Sequence, residues 1–511
     1  MPYTPFLVAG MKTGLELDIE PWLLPHDAYS ELHNAFLRDG VLQKRRGYID
    51  FTDTGAGNPI VGLMDFVESD GTKTLLVADT KRLYEYSGGS ITDLDGSDIW
   101  TGDADNLISW VNYDGKIYMA NGNDRLRYFD GTTAGYVKVD LNGDTSNQLT
   151  ACWFTLVQKE RVILFSTTED GTAYPQRARW CKAGDTTDWE EAAGQGGYID
   201  LPTSEWIKGV GYLGDNIIIW CSNSAWLFRY TGDSTTPFVL DRISTEYGAI
   251  AGKTVMEIRG RSFALGKTGM VQSDGSGVVR IDQRIPDAVL DWNAESINKC
   301  FGLIVEESRQ AWVLYPSMGE TSPDKALVWD YETGAWATID MPMTCLGATT
   351  QSATLTWATM TGTWEEANRA WDEATTQAGY PVLLGGASDG KVYELNEGAV
   401  DDSAEISLSV ISGRWNPYKT QGVKSRLGYI DFLIEPVSGV EVTVNLFMDF
   451  EPASYSSETI DFDQDGEKAW VRIYVNNVAA SHRFSLTNAA GAVKIHGIMP
   501  WFKPAGRIAN G

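Results

Sequence analysis

Cysteine and histidine are scarce in this chain, and each scarcity excludes a class of chemistry. Five cysteines, Cys152, Cys181, Cys221, Cys300 and Cys345, are spread through 511 residues. They are odd in number and form no Cys-x-x-Cys pair. They read as buried free thiols of a protein folded in a reducing cytosol. The four histidines, His26, His33, His482 and His496, have no metal-ligand spacing, so zinc chemistry and His-based hydrolysis lack the residues to carry them. No apolar run approaches the ~18 residues of a membrane-spanning helix, and no membrane insertion is expected. Met1-Pro2-Tyr3-Thr4-Pro5 has neither the basic nor the apolar region of an export signal. Positive charge is in deficit: 41 Lys and Arg face 69 Asp and Glu, for a net charge of −28. Such a surface repels phosphate backbones, which argues against tight nucleic-acid binding. It suits a wall that DNA slides past without sticking, but on charge alone solubility is the favoured reading.

Aromatic residues and glycine are abundant, with 19 Trp, 22 Tyr, 17 Phe and 52 Gly. Aromatics favour pleated, half-buried surfaces and glycine supplies tight turns, so an all-β chain is expected. A hairpin unit of an apolar strand, a polar turn and a Leu-Tyr or Val-Trp strand recurs about every 45 residues, the period of a β-propeller. Its strands include Leu75–Asp79 with Leu83–Gly88, Lys116–Ala120 with Leu126–Gly131, and Asn216–Trp220 with Trp226–Gly232. Ala311–Tyr315 with Ala326–Gly334 closes the run of six full units. A last half-unit, Pro381–Gly385 with Lys391–Leu395, is short of one strand. The segment around Val41, Leu42, Tyr48 and Phe51 is the candidate to supply it and close the ring, giving six or seven blades. The expected organisation is an N-terminal arm over residues 1–55, a propeller over 56–400 with a Trp-rich insert at about 350–380, a β-sandwich-like domain over 401–500, and a flexible tail over 501–511. The sandwich rests on strictly alternating stretches such as Val440–Leu446 and Ala469–Val475.

Several short motifs resemble active-site signatures and read better as turns. Gly266-Lys267-Thr268 could end a phosphate-binding loop, but Arg261 stands where that loop needs glycine and a strand follows instead of a helix. Gly386-Ala387-Ser388-Asp389-Gly390 matches a nucleophile-elbow pattern, again without the following helix. Asp461, Asp463 and Asp465, with Gly466, form the first half of a calcium loop. Arg472 stands where the bidentate Glu should be, so an acidic hairpin turn is the reading set against calcium. No other cofactor is expected. Trp357, Trp364 and Trp371 are spaced seven apart. They either cap the propeller core or anchor an interface, where tryptophan is over-represented.

Gly14-Leu15-Glu16-Leu17-Asp18, followed by the run from Ala35-Phe36-Leu37-Arg38-Asp39-Gly40 through Lys44-Arg45-Arg46-Gly47-Tyr48, resembles the opening of tail proteins from short-tailed bacteriophages. In that family an Asp-Gly-x-x-x-x-Arg-x-Gly segment precedes a propeller. Arg45-Arg46-Gly47 stands where such families carry Arg-Pro-Gly. Thr356–Trp364 is similar to inserts in phage structural proteins. The resemblance implies a tail nozzle or hub of the tail tubular protein B type, a non-enzymatic virion protein assembled in the host cytoplasm. It further implies a self-assembled ring, expected as a hexamer, below the portal and adaptor ring. Such a ring continues the DNA-ejection channel without binding DNA specifically and docks tail fibres or spikes. The alternative function is a propeller that binds or hydrolyses glycans through carboxylates and arginines.

Overall fold

A computed structural model describes residues 2–508, apart from 95, 138, 140, 142–148, 192–193, 352–379 and 489. Strands dominate, and the chain is an all-β propeller joined to a β-sandwich. Six blades are built from consecutive strands, beginning with Ile60–Val67, Ser109–Tyr113, Leu149–Gln158, Ile207–Leu213, Ala251–Ile258 and Phe301–Val305. Each continues outward through three more antiparallel strands. A seventh blade is composite. Cys345–Gln351, Tyr380–Gly386 and Lys391–Leu395 supply three strands, and Tyr48–Asp53 from the N-terminal region pairs antiparallel with Lys391–Leu395 as the fourth.

The second strand of a blade is covered on both faces by neighbouring blades, which is why Ile217, Ile218, Ile219 and Trp220 are consecutively apolar and all fully buried. Two-residue hairpins end the first strands of the second to fifth blades. Asp114 and Gly115 have φ of 52° and 67°, the left-handed pair that matches strand twist in a two-residue turn. All five cysteines are buried and unpaired. Burial pushes the Cys152, Cys221 and Cys345 thiols up to about 12, so none is poised as a thiolate nucleophile.

The C-terminal region is a sandwich of two sheets. The first runs Ala469–Ala479, Val423–Ile434, Lys494–Arg507, Val41–Lys44, Ala35–Arg38, with Thr4–Pro5 and Val8–Ala9 also pairing to Lys494–Arg507. The second contains Leu408–Ser412, His482–Asn488, Glu441–Met448 and Ser456–Asp461. The inner faces meet through Phe432 and Phe484, whose ring centroids are 6.1 Å apart, amid Val442, Val444, Leu486 and Ile498. The second sheet does not stop at the sandwich. It passes through Ala28–His33 and Gly14–Leu15 into Trp336–Asp340, the outer strand of the sixth blade. Propeller and sandwich therefore share one continuous ten-stranded sheet and one hydrophobic cluster.

Three expectations need correction. Tyr48 and Phe51 lie in the ring-closing strand, but Val41 and Leu42 do not: they form a hairpin with Ala35–Arg38 in the sandwich. Arg45-Arg46-Gly47 separates the two because Arg45 is held by Asp401 and Asn34, and Gly47 is pressed against Val400, where a Cβ would come within 1.7 Å of the carbonyl oxygen. Residues 1–55 are thus not an extended arm but are woven into both domains. Residues 501–507 are not a tail. They continue Lys494–Arg507, with Phe502 fully buried and Arg507 paired with Val423. Trp357, Trp364 and Trp371 lie outside the described residues. Gln351 pairs with Tyr380, so the chain leaves and re-enters the composite blade at one point.

Candidate interaction surface

The first strand of each blade lines the propeller axis. There the Phe154 ring of the third blade reaches Gly252 of the fifth, where an added Cβ would sit 2.5 Å from the ring. Lys253 stands 5.3 Å from the same ring. Burial pulls the Lys253 amine down to about 7.

The carboxylate–arginine cluster that a glycan-cleaving propeller would need has its nearest counterpart in the third blade. Glu169 accepts from Arg179 Nε at 2.8 Å and Arg177 Nη1 at 2.8 Å, and Arg177 also grips Asp200 at 2.8 and 2.9 Å. Tyr174 and Tyr198 flank the Arg177 guanidinium at 3.7 and 3.9 Å. Burial works to raise the Glu169 carboxyl, but Arg179, Thr167 and Arg177 outweigh it and hold it below its ordinary value. A carboxylate so held is an anchor for two arginines and a poor proton donor near neutral pH. Glu169→Gln is expected to cost about 3–5 kcal/mol, because it leaves two buried guanidinium groups with only the more exposed Asp200 and Glu191 as counter-charges. Chemical denaturation measures this, and a loss below about 1 kcal/mol would show the network to be dispensable.

The motif residues fall in turns or at strand ends. Gly266 pairs with Gly269 across a hairpin that contains Lys267 and Thr268. Ala387 donates its N–H to Lys391 O at 2.9 Å, closing the turn that contains Ser388. Asp461 ends a strand and accepts from the Asp463 N–H at 2.8 Å. Asp463 and Asp465 are exposed, and among the described residues no group of three or more His, Cys, Asp or Glu is placed to hold a metal ion. His33 contacts Asp340 at 3.0 Å, and His482 Nε2 lies 3.0 Å from Ser425 O. No described helix is long and apolar enough to cross a membrane.

The most distinctive surface is the outer face of the first sandwich sheet. Register brings Tyr429 between Tyr474 and Trp501, Asp431 beside Arg472, and Leu433 beside Trp470. Asp431 accepts from Arg472 Nε at 2.6 Å, Arg472 Nη2 at 3.0 Å and Trp501 Nε1 at 2.9 Å. The Arg472 guanidinium also lies 4.0 Å from the Tyr429 ring centroid. Tyr3 adds a further ring 5.7 Å from Tyr429. The ion pair thus locks an aromatic platform in place. Its outer members stay open, with Trp470 51% and Tyr474 72% exposed. Both lie on Ala469–Ala479, an eleven-residue strand that has one in-sheet neighbour among the described residues. A long edge strand carrying exposed aromatics is a template for a partner unless something covers it.

The alternation at 469–475 marks these residues as a strand, yet nothing local says that Tyr429, Trp470, Tyr474 and Trp501 share a face. The usable signal was the choice of Trp, Arg and Tyr at the three outward positions 470, 472 and 474, where short polar residues would suffice.

No protein-family model and no curated protein matches the chain. Among solved structures it is similar to BamB from Moraxella catarrhalis, at 10% identity and a TM-score of 0.33 over 77% of this chain and 97% of that one. The Pan2 WD40 domain from Neurospora crassa matches at 7% identity and a TM-score of 0.35, over 69% and 94% respectively. A galactose-bound exo-β-1,3-galactanase from Phanerochaete chrysosporium matches at 8% identity and a TM-score of 0.24, over 77% and 95%. Likeness at this level concerns the fold and carries nothing about activity or partner.

Proposed function

We propose that this chain is a structural, non-enzymatic component of a short-tailed bacteriophage tail, a nozzle or hub protein that works as a ring of copies. The observation that carries the reading is the aromatic platform on an open edge strand, a surface suited to protein docking. The phage-like segment supports it from the sequence side. In a ring of copies the net charge of −28 per chain would repel DNA sliding along the channel. The adaptor ring, tail fibres or spikes are the other partners that this role implies.

Native mass spectrometry and electron microscopy of the purified chain test the reading. Rings of about six copies are expected, since a closed ring needs head-to-tail surfaces. A chain that stays monomeric alone and with an adaptor ring would overturn it. Trp470→Ala and Tyr474→Ala are expected to weaken assembly about thirtyfold each, the effect of losing an aromatic anchor worth ~2 kcal/mol. Their monomer melting should be unchanged, because both side chains are largely exposed. A second reading, glycan binding, draws on the same exposed rings. Retention on an immobilised glycan that Trp470→Ala abolishes would favour it over the ring.

A further inference from the structure

The other side of the sandwich carries a feature that neither fold nor platform uses. Trp415 and His482 exchange backbone hydrogen bonds of 2.7 and 3.0 Å across an isolated antiparallel bridge. Their neighbours Arg414 and Arg483 are therefore directly opposite one another. His482 and Phe484 are buried in the sandwich core, so Arg483, between them, projects from the outer side of the second sheet. Phe447 pairs with Arg483 in register, its ring 4.7 Å from that guanidinium, and Phe450 lies 5.0 Å from Arg414.

Neither of these like charges is in a salt bridge among the described residues, and Asp449 and Glu31 attract them only from farther off. Arg414 Nη1 and Arg483 Nε are buried atoms without a hydrogen-bond partner among the described residues. These two carboxylates are held in place by other donors. Asp449 accepts the Ala480 and Ser481 N–H groups at 2.6 and 3.1 Å, and Glu31 accepts from Ser409. Burial and the Arg483 charge both disfavour the charged form of Arg414. Both arginines are partly exposed, so their remaining guanidinium nitrogens can converge on one oxyanion, and the 70% exposed Phe450 supplies an apolar rim.

We infer that Arg414 and Arg483 form a docking site for a carboxylate presented by a second copy of this chain. The choice of occupant rests on the ring reading and on charge. A chain with 69 acidic and 41 basic residues offers carboxylates over most of its surface, and a cationic pair is the complementary minority feature. The pair and the aromatic platform lie on opposite outer sides of one sandwich, as head-to-tail association requires of its two unlike surfaces.

The test uses the full chain and the variants Arg414→Gln and Arg483→Gln, which keep a polar side chain and remove the charge. Ring formation is followed by sedimentation across a salt series, with monomer melting as the folding control. The wild-type ring is expected to weaken as salt rises. Each variant should weaken it about tenfold at low salt, with a flatter salt dependence. In parallel, sodium acetate is titrated against sodium chloride at equal ionic strength. Acetate should raise the wild-type melting temperature and leave that of the double variant unmoved. Rings that ignore both substitutions, together with no acetate effect, would overturn the site. An acetate effect without any rings would retire the ring reading and the second copy as occupant while leaving the carboxylate site standing. Binding of labelled duplex DNA that both variants abolish would assign the fork to phosphate and overturn the carboxylate.

Discussion

Deleting residues 1–53 is expected to yield a chain that does not fold cooperatively. The deletion removes Tyr48–Asp53, the fourth strand of the composite blade, and exposes the edge of Lys391–Leu395. It also removes Gly14–Leu15 and Ala28–His33, through which the sixth blade is continuous with the sandwich. From the first sandwich sheet it takes Ala35–Arg38 and Val41–Lys44, with Thr4–Pro5 and Val8–Ala9. Met11, Tyr29, Leu32, Leu37 and Leu42, all at most 3% exposed, leave the shared cluster with them. Full burial of each such side chain is worth ~1.5–3 kcal/mol, so the sum reaches the ~5–15 kcal/mol that holds a domain together. Circular dichroism melting and solubility on expression measure the outcome. A soluble deletion protein with an undiminished melting transition would refute the interlocked arrangement.

A single substitution at the same junction is expected to have the next largest effect. Arg45 is 4% exposed, and its guanidinium makes a two-point contact with Asp401 at 2.7 and 2.5 Å while Nε donates to Asn34 at 2.8 Å. Asn34 in turn donates to Asp340 at 2.7 Å and to Ser407 O at 2.9 Å. Asp401→Ala strands a buried cation and should cost about 3–5 kcal/mol. Replacing both partners, as Arg45→Met with Asp401→Leu, should recover most of that loss, since no charge is then left unpaired. Denaturant titration of the two singles and the double reads the coupling. If Asp401→Ala costs less than about 1 kcal/mol, the pair is an incidental contact.

What could be read from the sequence follows the range over which each signal acts. The propeller was legible because each blade is built from neighbouring hairpins whose strands alternate or run apolar within a few residues. The Asp39-Gly40 turn was legible too, and its φ angles of 52° and 80° are those such a dipeptide adopts readily. Partner choice was not legible. Val41, Leu42, Tyr48 and Phe51 all read as strand, yet the first two join the sandwich and the last two the propeller. The switch depends on Arg45 meeting Asp401, 356 residues away. Residues 501–507 resemble a loose end until Val423–Ile434 is placed beside them. The aromatic platform draws on positions 3, 429, 470, 474 and 501, which no local pattern unites.

The composite blade also imposes an order on synthesis. Tyr48–Asp53 emerges from the ribosome well before its partner strand, which ends at Leu395. At about 5–20 residues per second, the intervening stretch of roughly 340 residues takes about 17–70 s to make. Through that interval the strand has an unsatisfied edge in a crowded cell. The earlier blades have every partner they need within their own stretch of chain, so they can stack while the first strand waits. Production of this protein is thus sensitive to how Tyr48–Asp53 is sheltered, and slowed translation between residues 53 and 395 should lower the folded yield more than the same slowing before residue 48.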